Sequence, residues 1–109
     1  MLYWRNMLRH FKADLFKALA HPIRIMILDA LRDGEAPVGV LGERLGVEQS
    51  SLSQHLSALR ANGLVRTRRE GTSVFYDVAD PAIWELLDAA RDIYERQLRA
   101  NQKLFEALR

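Results

Sequence analysis

The stretch of residues 47–65 constrains the fold of this chain more than any other part of the sequence. Leu52, Leu56 and Leu59 recur at the spacing of one helical stripe, and Gly63 follows where a residue in the left-handed conformation commonly ends a helix. The stretch is therefore predicted to be one amphipathic helix with its leucine face buried.

The opposite face of this helix is polar, short and uncharged. A rotation of about 100° per residue places Ser50, Gln54 and Ser57 there, with Ser51 and Ser53 on the flanks. Exposed helix faces usually carry lysine and glutamate, so a run of serine and glutamine needs another reason. Base edges in a DNA groove supply one, because glutamine pairs bidentately with adenine and small side chains let the backbone approach closely. A solvated helix that is rich in serine by chance is the alternative.

Composition and charge limit the classes of function. A chain of 109 residues fits a single domain, and 49% hydrophobic with 28% charged residues is typical of a folded protein. The formal net charge is only +2, so a surface for nucleic acid must come from local clustering of charge.

The chain contains no cysteine, which excludes disulfides, thiolate metal sites and thiol-based redox sensing. Arg5, Arg9 and His10 interrupt the apolar residues at the N-terminus, so we expect no signal peptide and no membrane span. A cytoplasmic location is the resulting expectation.

Two helices are predicted over the first 32 residues. Apolar and aromatic residues recur at spacings of three and four through the first twenty residues, and His21-Pro22 then breaks the helix. A second helix is predicted over 22–32, and its wide apolar stripe indicates that it is buried. His21 is expected to be an N-terminal cap or a residue at the edge of the core.

A helix-turn-helix is predicted over 37–62. Pro37 opens a third helix that Gly46 closes, and only Gly46, Val47 and Glu48 separate it from the serine-rich helix. Two helices joined by a turn of this length containing glycine form the unit that places its second helix in the major groove.

A β-hairpin is predicted over 64–78, where residues alternate with a period of two around a turn at Glu70-Gly71. Arg66, Arg68 and Arg69 cluster on it and are expected to lie on one side, where they would meet phosphates or the minor groove. The alternative is an edge strand that charge protects from aggregation.

A final helix of about 25 residues is predicted from Pro81 to the end, about 38 Å long at 1.5 Å per residue. Its apolar face is longer than the rest of the chain can cover, and the first helix has a similar surplus. We therefore expect a two-fold dimer built from residues 1–20 and 80–109, rather than a monomer that folds one helix against the other. The expected interface residues are Trp4, Leu8, Phe11, Leu15, Ile83, Leu87, Tyr94, Leu98 and Phe105.

Three strings together resemble the ArsR/SmtB family of bacterial winged helix-turn-helix repressors, and the resemblance covers roughly residues 11–95. The strings are F-K-A-L-A-H-P-I-R-I-M-I-L, S-S-L-S-Q-H-L-S-A-L-R-A-N-G-L-V and R-R-E-G-T-S-V-F-Y. The resemblance implies a mainly α fold with a small β-hairpin in one domain, residues 1–109. It also implies a cytoplasmic homodimer that binds an imperfect inverted repeat in a promoter and is usually released by an effector.

The residues that match the DNA-binding positions of the family lie on the recognition helix and the hairpin, or wing. They are Gln49, Ser50, Ser51, Ser53, Gln54, His55, Arg66, Arg68, Arg69 and Thr72, and the polar face of the helix adds Ser57 as a candidate. For His55 two alternatives stay open, local packing or a phosphate contact. Thr72 stands where relatives often have a basic residue, and Glu48 where they often have a serine or aspartate cap.

The family's usual metal sites are missing from this sequence. Val38, Gly39 and Val40 stand where many members have metal-binding cysteines, and none of the three can ligate a soft metal. A second family site combines aspartate and histidine of a terminal helix with histidine and glutamate of the partner. Here that helix has Asp88, Asp92 and Glu95 without histidine, so these carboxylates are interpreted as a solvated face, with a site that includes His10 as the alternative. We expect no metal and no cofactor.

The sequence favours double-stranded DNA and a second copy of the chain as partners. Motifs for catalysis such as G-x-S-x-G, H-E-x-x-H or a glycine-rich phosphate loop are missing, so an enzyme is not expected. A winged-helix interaction module without specific DNA binding is the rival hypothesis, although such a module has no use for the serine and glutamine face. A small apolar effector between the terminal helices, near Trp4, Phe11, Trp84 and Tyr94, is a further alternative to plain dimer core.

Overall fold

The computed structural model of the chain describes residues 2–109, which form five α-helices, a 3-10 turn and a small antiparallel sheet. The helices are α1 Leu2–Leu19, α2 Pro22–Ala30, a 3-10 turn Leu31–Asp33, α3 Val38–Leu45, α4 Gln49–Ala61 and α5 Ala82–Leu108. The strands are β1 Ala36–Pro37, β2 Val65–Glu70 and β3 Ser73–Val78. The predicted fold class, mainly helical with a small β element, is confirmed.

The core lies under α4. Leu52, Leu56 and Leu59 have no exposed surface, as the leucine stripe predicted. They pack against equally buried side chains of the preceding elements, namely Ile27, Leu28, Leu31 and Leu41. Burial of each such side chain stabilises the fold by about 1.5–3 kcal/mol, so this packing fixes which face of α4 turns outward.

The second helix is shorter than predicted. The α-helix ends at Ala30, and Leu31–Asp33 continue it as a 3-10 turn that Gly34 closes with a φ of 115°. The third helix begins at Val38, one residue later than predicted. Pro37 precedes it in an extended conformation, with φ −75° and ψ 159°.

The wing is a three-stranded sheet in the order β1-β3-β2, not the predicted two-stranded hairpin. Ala36 and Pro37 pair with β3, and two residues are too few to show an alternating pattern in a sequence. The turn also differs from the prediction. Glu70 is still paired with Ser73, so the two turn residues are Gly71 and Thr72. Gly71 has a φ of 59°, and a positive φ at the first position of a two-residue turn favours glycine.

The terminal helices extend beyond the core. The radius of gyration is 17.5 Å, whereas a compact chain of this length would have about 13 Å. The helix α5 alone spans 27 residues, or about 40 Å. Large apolar side chains along both terminal helices are exposed, so the chain folded by itself leaves this surface uncovered.

The backbone of the turn between α3 and α4 leads to a prediction about stability. Gly46 has a φ of 64°, and its N–H donates to the Gly42 carbonyl at 2.9 Å. A Cβ at Gly46 would meet nothing within 4 Å, so Gly46→Ala would change only the conformational cost. We expect it to lower the free energy of unfolding by about 1–2 kcal/mol in urea denaturation.

Gly39→Ala is the matched control, because a Cβ there also meets nothing within 4 Å but the backbone is ordinary α3 helix. It should raise the free energy of unfolding by about 0.5 kcal/mol. Equal effects of the two substitutions would contradict the assigned conformation of the turn.

Candidate nucleic-acid interface

The exposed side of α4 is uncharged over its first nine residues. Gln49, Ser50, Ser53, Gln54 and Ser57 are all exposed. The helical rotation predicted this for Ser50, Gln54 and Ser57, with Ser53 at the flank. Ser51 is half-buried at the flank. We call the surface formed by Gln49, Ser50, Ser53, Gln54 and Ser57 the reading face.

The helix α3 packs closely against the start of α4. A Cβ added to Gly42 would lie 3.4 Å from the Val47 carbonyl oxygen and 3.6 Å from Leu52 Cδ2. These are ordinary van der Waals distances, so the two helices are in contact at this corner. Together with the buried leucines, this corner holds the reading face outward.

A carboxylate lies at the N-terminus of α4. Glu48 is the residue before the helix, and its Oε1 accepts a hydrogen bond from Ser50 Oγ at 3.0 Å instead of from the backbone. Helix N-termini attract anions, because the free N–H groups and the helix dipole are positive there. Glu48 thus places a negative charge beside the positive end of α4.

His55 points away from the reading face toward α2. Its Nδ1 accepts a hydrogen bond from Arg24 Nε at 3.2 Å, and its ring centroid is 4.1 Å from that of His21. Burial, then His21 and Arg24, lower the pKa of His55. The structure favours local packing of His55, the first of its two alternatives. His21 caps α2 through its Nδ1, which accepts from the Ile23 N–H at 3.1 Å.

The three arginines of the wing do not lie on one side, contrary to the prediction. Side chains alternate along a strand, so Arg66 and Arg68 share one face of β2 whereas Arg69 lies on the other. In the register of the sheet, Arg66 is opposite Asp77 and Arg69 is opposite Val74.

Arg68 is held by carboxylates. Its Nε donates to Glu35 Oε2 at 3.1 Å, its Nη1 to Glu70 Oε2 at 2.7 Å, and its guanidinium lies 4.7 Å from the ring centroid of Phe75. The hydrogen bonds that Arg68 donates to Glu35 and Glu70 raise the pKa of Arg68, and the bond to Glu35 lowers the pKa of Glu35. Arg66, Arg68, Arg69 and Thr72 are all exposed, but the guanidinium of Arg68 is occupied by these two carboxylates. The long contact between Arg66 Nη2 and Asp77 Oδ2, 3.8 Å, leaves Arg66 largely available.

A link between α5 and the core was not predicted from the sequence. Arg32 Nη2 donates to Asp88 Oδ1 at 2.8 Å, and Trp84 Nε1 donates to the Leu28 carbonyl at 2.8 Å. The hydrogen bond to Asp88 raises the pKa of Arg32. Asp88 is therefore part of an ion pair, and within residues 2–109 no three His, Cys, Asp or Glu side chains lie close enough together to hold a metal ion.

Most of the predicted interface residues are exposed on the terminal helices. The exposed members are Trp4, Leu8, Phe11, Tyr94, Leu98 and Phe105. Leu15 and Leu87 are half-buried against the core. Ile83, contrary to the prediction, lies inside the core of its own chain with 7% of its surface exposed, so it has almost no surface to offer a partner.

Among the described residues, the structure contains no helix with the length and apolar character of a membrane span.

An open apolar groove of about 370 Å³ lies between α1, α2 and α5. Its walls include Phe16, Ile25, Leu87 and Ile93. The four residues predicted to surround an apolar effector, Trp4, Phe11, Trp84 and Tyr94, are not among those that line it.

The chain matches a known DNA-binding family in sequence. Residues 19–68 match the family described as Helix-turn-helix domain. The chain is 44% identical over 99 residues to the uncharacterized HTH-type transcriptional regulator Rv0081 of Mycobacterium tuberculosis. The aligned residues make up 90% of this chain and 87% of Rv0081.

Solved structures agree with this match. The crystal structure of Rv0081 has a TM-score of 0.78 and covers 86% of this chain and 95% of that one. A homodimeric winged helix-turn-helix DNA-binding domain from Mycobacterium bovis, a possible ArsR-family regulator, has a TM-score of 0.77 at 33% identity and covers 86% and 87% of the two chains. The transcriptional repressor BigR of Xylella fastidiosa has a TM-score of 0.74 at 34% identity and covers 86% and 96%.

The predicted resemblance is confirmed by these matches, and they favour DNA binding over the rival hypothesis of an interaction module. This chain belongs to the ArsR/SmtB family of winged helix-turn-helix transcriptional regulators, and it is a DNA-binding regulator of transcription.

Proposed function

We propose that the protein is a repressor that binds an imperfect inverted repeat in a promoter as a homodimer. The observation that carries this proposal is the uncharged, exposed reading face, which buried leucines hold outward on the second helix of a helix-turn-helix. A relative of the same fold, BigR, is a transcriptional repressor.

The proposed contacts divide into two groups. Side chains of α4 read bases, with Gln54 at the centre and Ser50 and Ser51 beside it, because amide and hydroxyl groups match the donors and acceptors of base edges. Exposed groups of the wing contact the sugar-phosphate backbone, which gives affinity without sequence information. The base-reading group is Gln49, Ser50, Ser51, Ser53, Gln54 and Ser57, and the backbone group is Arg66, Arg69 and Thr72.

We propose that a homodimer forms through the exposed apolar side chains of α1 and α5. An uncovered surface of this extent favours association, and the Mycobacterium bovis relative is homodimeric. In such a dimer the terminal helices set the separation of the two reading faces. A signal that changed this separation by a few ångströms would prevent both from docking at once.

A cytoplasmic location and a role without catalysis accompany this proposal, because a repressor acts where the chromosome is. The effector, if a small molecule, would act on the terminal helices, since they connect the two reading faces.

Fluorescence anisotropy tests the proposal with the purified protein, its own upstream intergenic DNA and a scrambled duplex, at several salt concentrations with chelator present. We expect tight binding that prefers the upstream DNA and weakens steeply with salt. Equal binding to both duplexes, or none, would contradict the proposal.

Glu48 leads to a prediction about selectivity. Because its carboxylate lies near the expected phosphate position, Glu48→Ser should strengthen binding to scrambled DNA about two- to fivefold and to upstream DNA by less. The same anisotropy titrations measure this. Glu106→Ser, which removes an exposed carboxylate near the end of α5, is the control and should change neither affinity. A gain of the same size in both variants would mean that only net charge matters.

A further inference from the structure

Arg24 connects three elements of the fold. Its Nη1 donates to the Ala18 carbonyl near the end of α1 at 3.1 Å, and its Nε donates to His55 Nδ1 on α4 at 3.2 Å. His21 lies between α1 and α2, with its ring centroid 4.1 Å from that of His55. All three side chains are half-buried. One guanidinium thus joins a proposed dimerisation helix to the reading helix.

The hydrogen bond from Arg24 indicates where the proton lies on the imidazole of His55. His55 accepts from Arg24 at Nδ1, and His21 accepts from the Ile23 N–H at Nδ1. An imidazole that accepts at Nδ1 carries its proton on Nε2 and is neutral, whereas a protonated imidazole is a donor at both nitrogens. Arginine always stays charged, so only the histidine side of this contact can change with pH.

Protonation of His55 would be unfavourable in this arrangement. Among the described residues, the charged or titratable groups that face His55 are Arg24 on α2 and His21 before it, and neither is a carboxylate. A proton on Nδ1 would replace the hydrogen bond by a contact between two cations. Burial, His21 and Arg24 accordingly lower the pKa of His55 below its ordinary 6.5.

We propose that Arg24 and His55 are positioning residues that hold the reading helix α4 in a fixed orientation relative to α1. Protonation of His55 breaks the hydrogen bond between His55 and Arg24 and releases this orientation. The inference rests on the proposed function, because it concerns how the reading face is aimed at DNA. Its consequence is that acid weakens operator binding.

The sign of the effect separates this role from a direct contact with DNA. A group whose pKa is lowered in the folded state stabilises that state above its ordinary pKa, and this contribution is lost as the pH falls through the lowered value. If the hydrogen bond between Arg24 and His55 is needed for binding, affinity for the upstream DNA should fall as the pH drops below 6.5, by less than about tenfold at pH 5.5 because the pKa of His55 is lowered. If His55 instead contacted a phosphate, its protonation would add a positive charge and raise the affinity.

Three variants test the inference by anisotropy at pH 7.5 and 5.5. His55→Asn keeps an acceptor near the Nδ1 position but cannot titrate, so it should bind at pH 7.5 within about threefold of the unmodified protein and lose the pH dependence. Arg24→Met removes both hydrogen bonds while keeping the side-chain stem, so it should bind more weakly already at pH 7.5. His10→Asn removes the exposed histidine of α1 and should retain the full pH dependence.

Nitrogen-15 NMR of the histidine rings, in the unmodified protein, provides a second readout if a variant does not fold. We expect His55 Nδ1 to be unprotonated at pH 7.5 and to gain its proton over the same pH range in which DNA binding is lost. A proton on His55 Nδ1 at pH 7.5, a wild-type pH dependence in His55→Asn, or stronger binding at pH 5.5 would each overturn the inference. Selective binding at pH 7.5 together with any of these results would leave the proposed function intact, whereas unselective binding at pH 7.5 would overturn both.

Discussion

Leu98→Glu is expected to convert the protein to a monomer and to weaken binding to its upstream DNA about 100-fold. Leu98 is 49% exposed on the apolar face of α5, so the substitution leaves the core of the chain unchanged. In the proposed dimer a carboxylate at this position would be buried without a partner, which is unfavourable. Loss of the dimer removes the gain in affinity that comes from linking two reading faces. Analytical ultracentrifugation and anisotropy measure the two effects.

Arg99→Gln is the matched control. It also lowers the net charge by one, but Arg99 is adjacent to Leu98 in the chain and about 100° around the helix, on the polar side of α5. The control should remain dimeric and lose little affinity. A dimeric Leu98→Glu variant, or equal losses in both, would contradict the proposed interface.

Gln54→Ala is expected to weaken binding to the cognate site by about 1–3 kcal/mol and to relax the preference for its sequence. Gln54 is exposed at the centre of the reading face, where its amide can pair with the edge of one base. Binding to a scrambled duplex should hardly change, because the amide makes no specific pair there. Anisotropy with the cognate site, single-base variants of it and scrambled DNA measures the difference.

Arg69→Ala provides the contrast to Gln54→Ala. As a proposed backbone contact, Arg69 should support binding to all sequences alike, and its loss should reduce the slope of the salt dependence by about one. If both variants weakened every sequence equally, the assignment of the reading face would be wrong. Arg68→Ala should act differently again, because Arg68 is held by Glu35 and Glu70 and its loss would loosen the wing.

The elements of this fold could be predicted from the sequence where local patterns determine them. The spacing of Leu52, Leu56 and Leu59 defines which face of α4 is buried, and the reading face lies on the opposite side of the helix. Gly46 marks the turn because its positive φ is a local property of the backbone.

Features that depend on contacts between distant residues could not be predicted in this way. The strand β1 exists because Ala36 and Pro37 pair with a strand almost forty residues later. The hydrogen bond between Arg68 and Glu35 likewise joins residues that are distant in the sequence. The alternation of β2 does predict that Arg68 and Glu70 share one face of the strand. The contact between Arg24 and His55 spans 31 residues and leaves no periodic signal.

Hydroxyl-radical footprinting of the purified protein on its own upstream intergenic DNA would test the central claim most directly. A homodimer that places two α4 helices in successive major grooves should protect two patches on one face of the duplex, centred about 10–10.5 base pairs apart, within an imperfect inverted repeat. Gln54→Ala should need about 5- to 150-fold more protein to give the same protection, as expected from a loss of about 1–3 kcal/mol. A single patch, or uniform protection without a repeat, would contradict sequence-specific binding by a two-fold dimer.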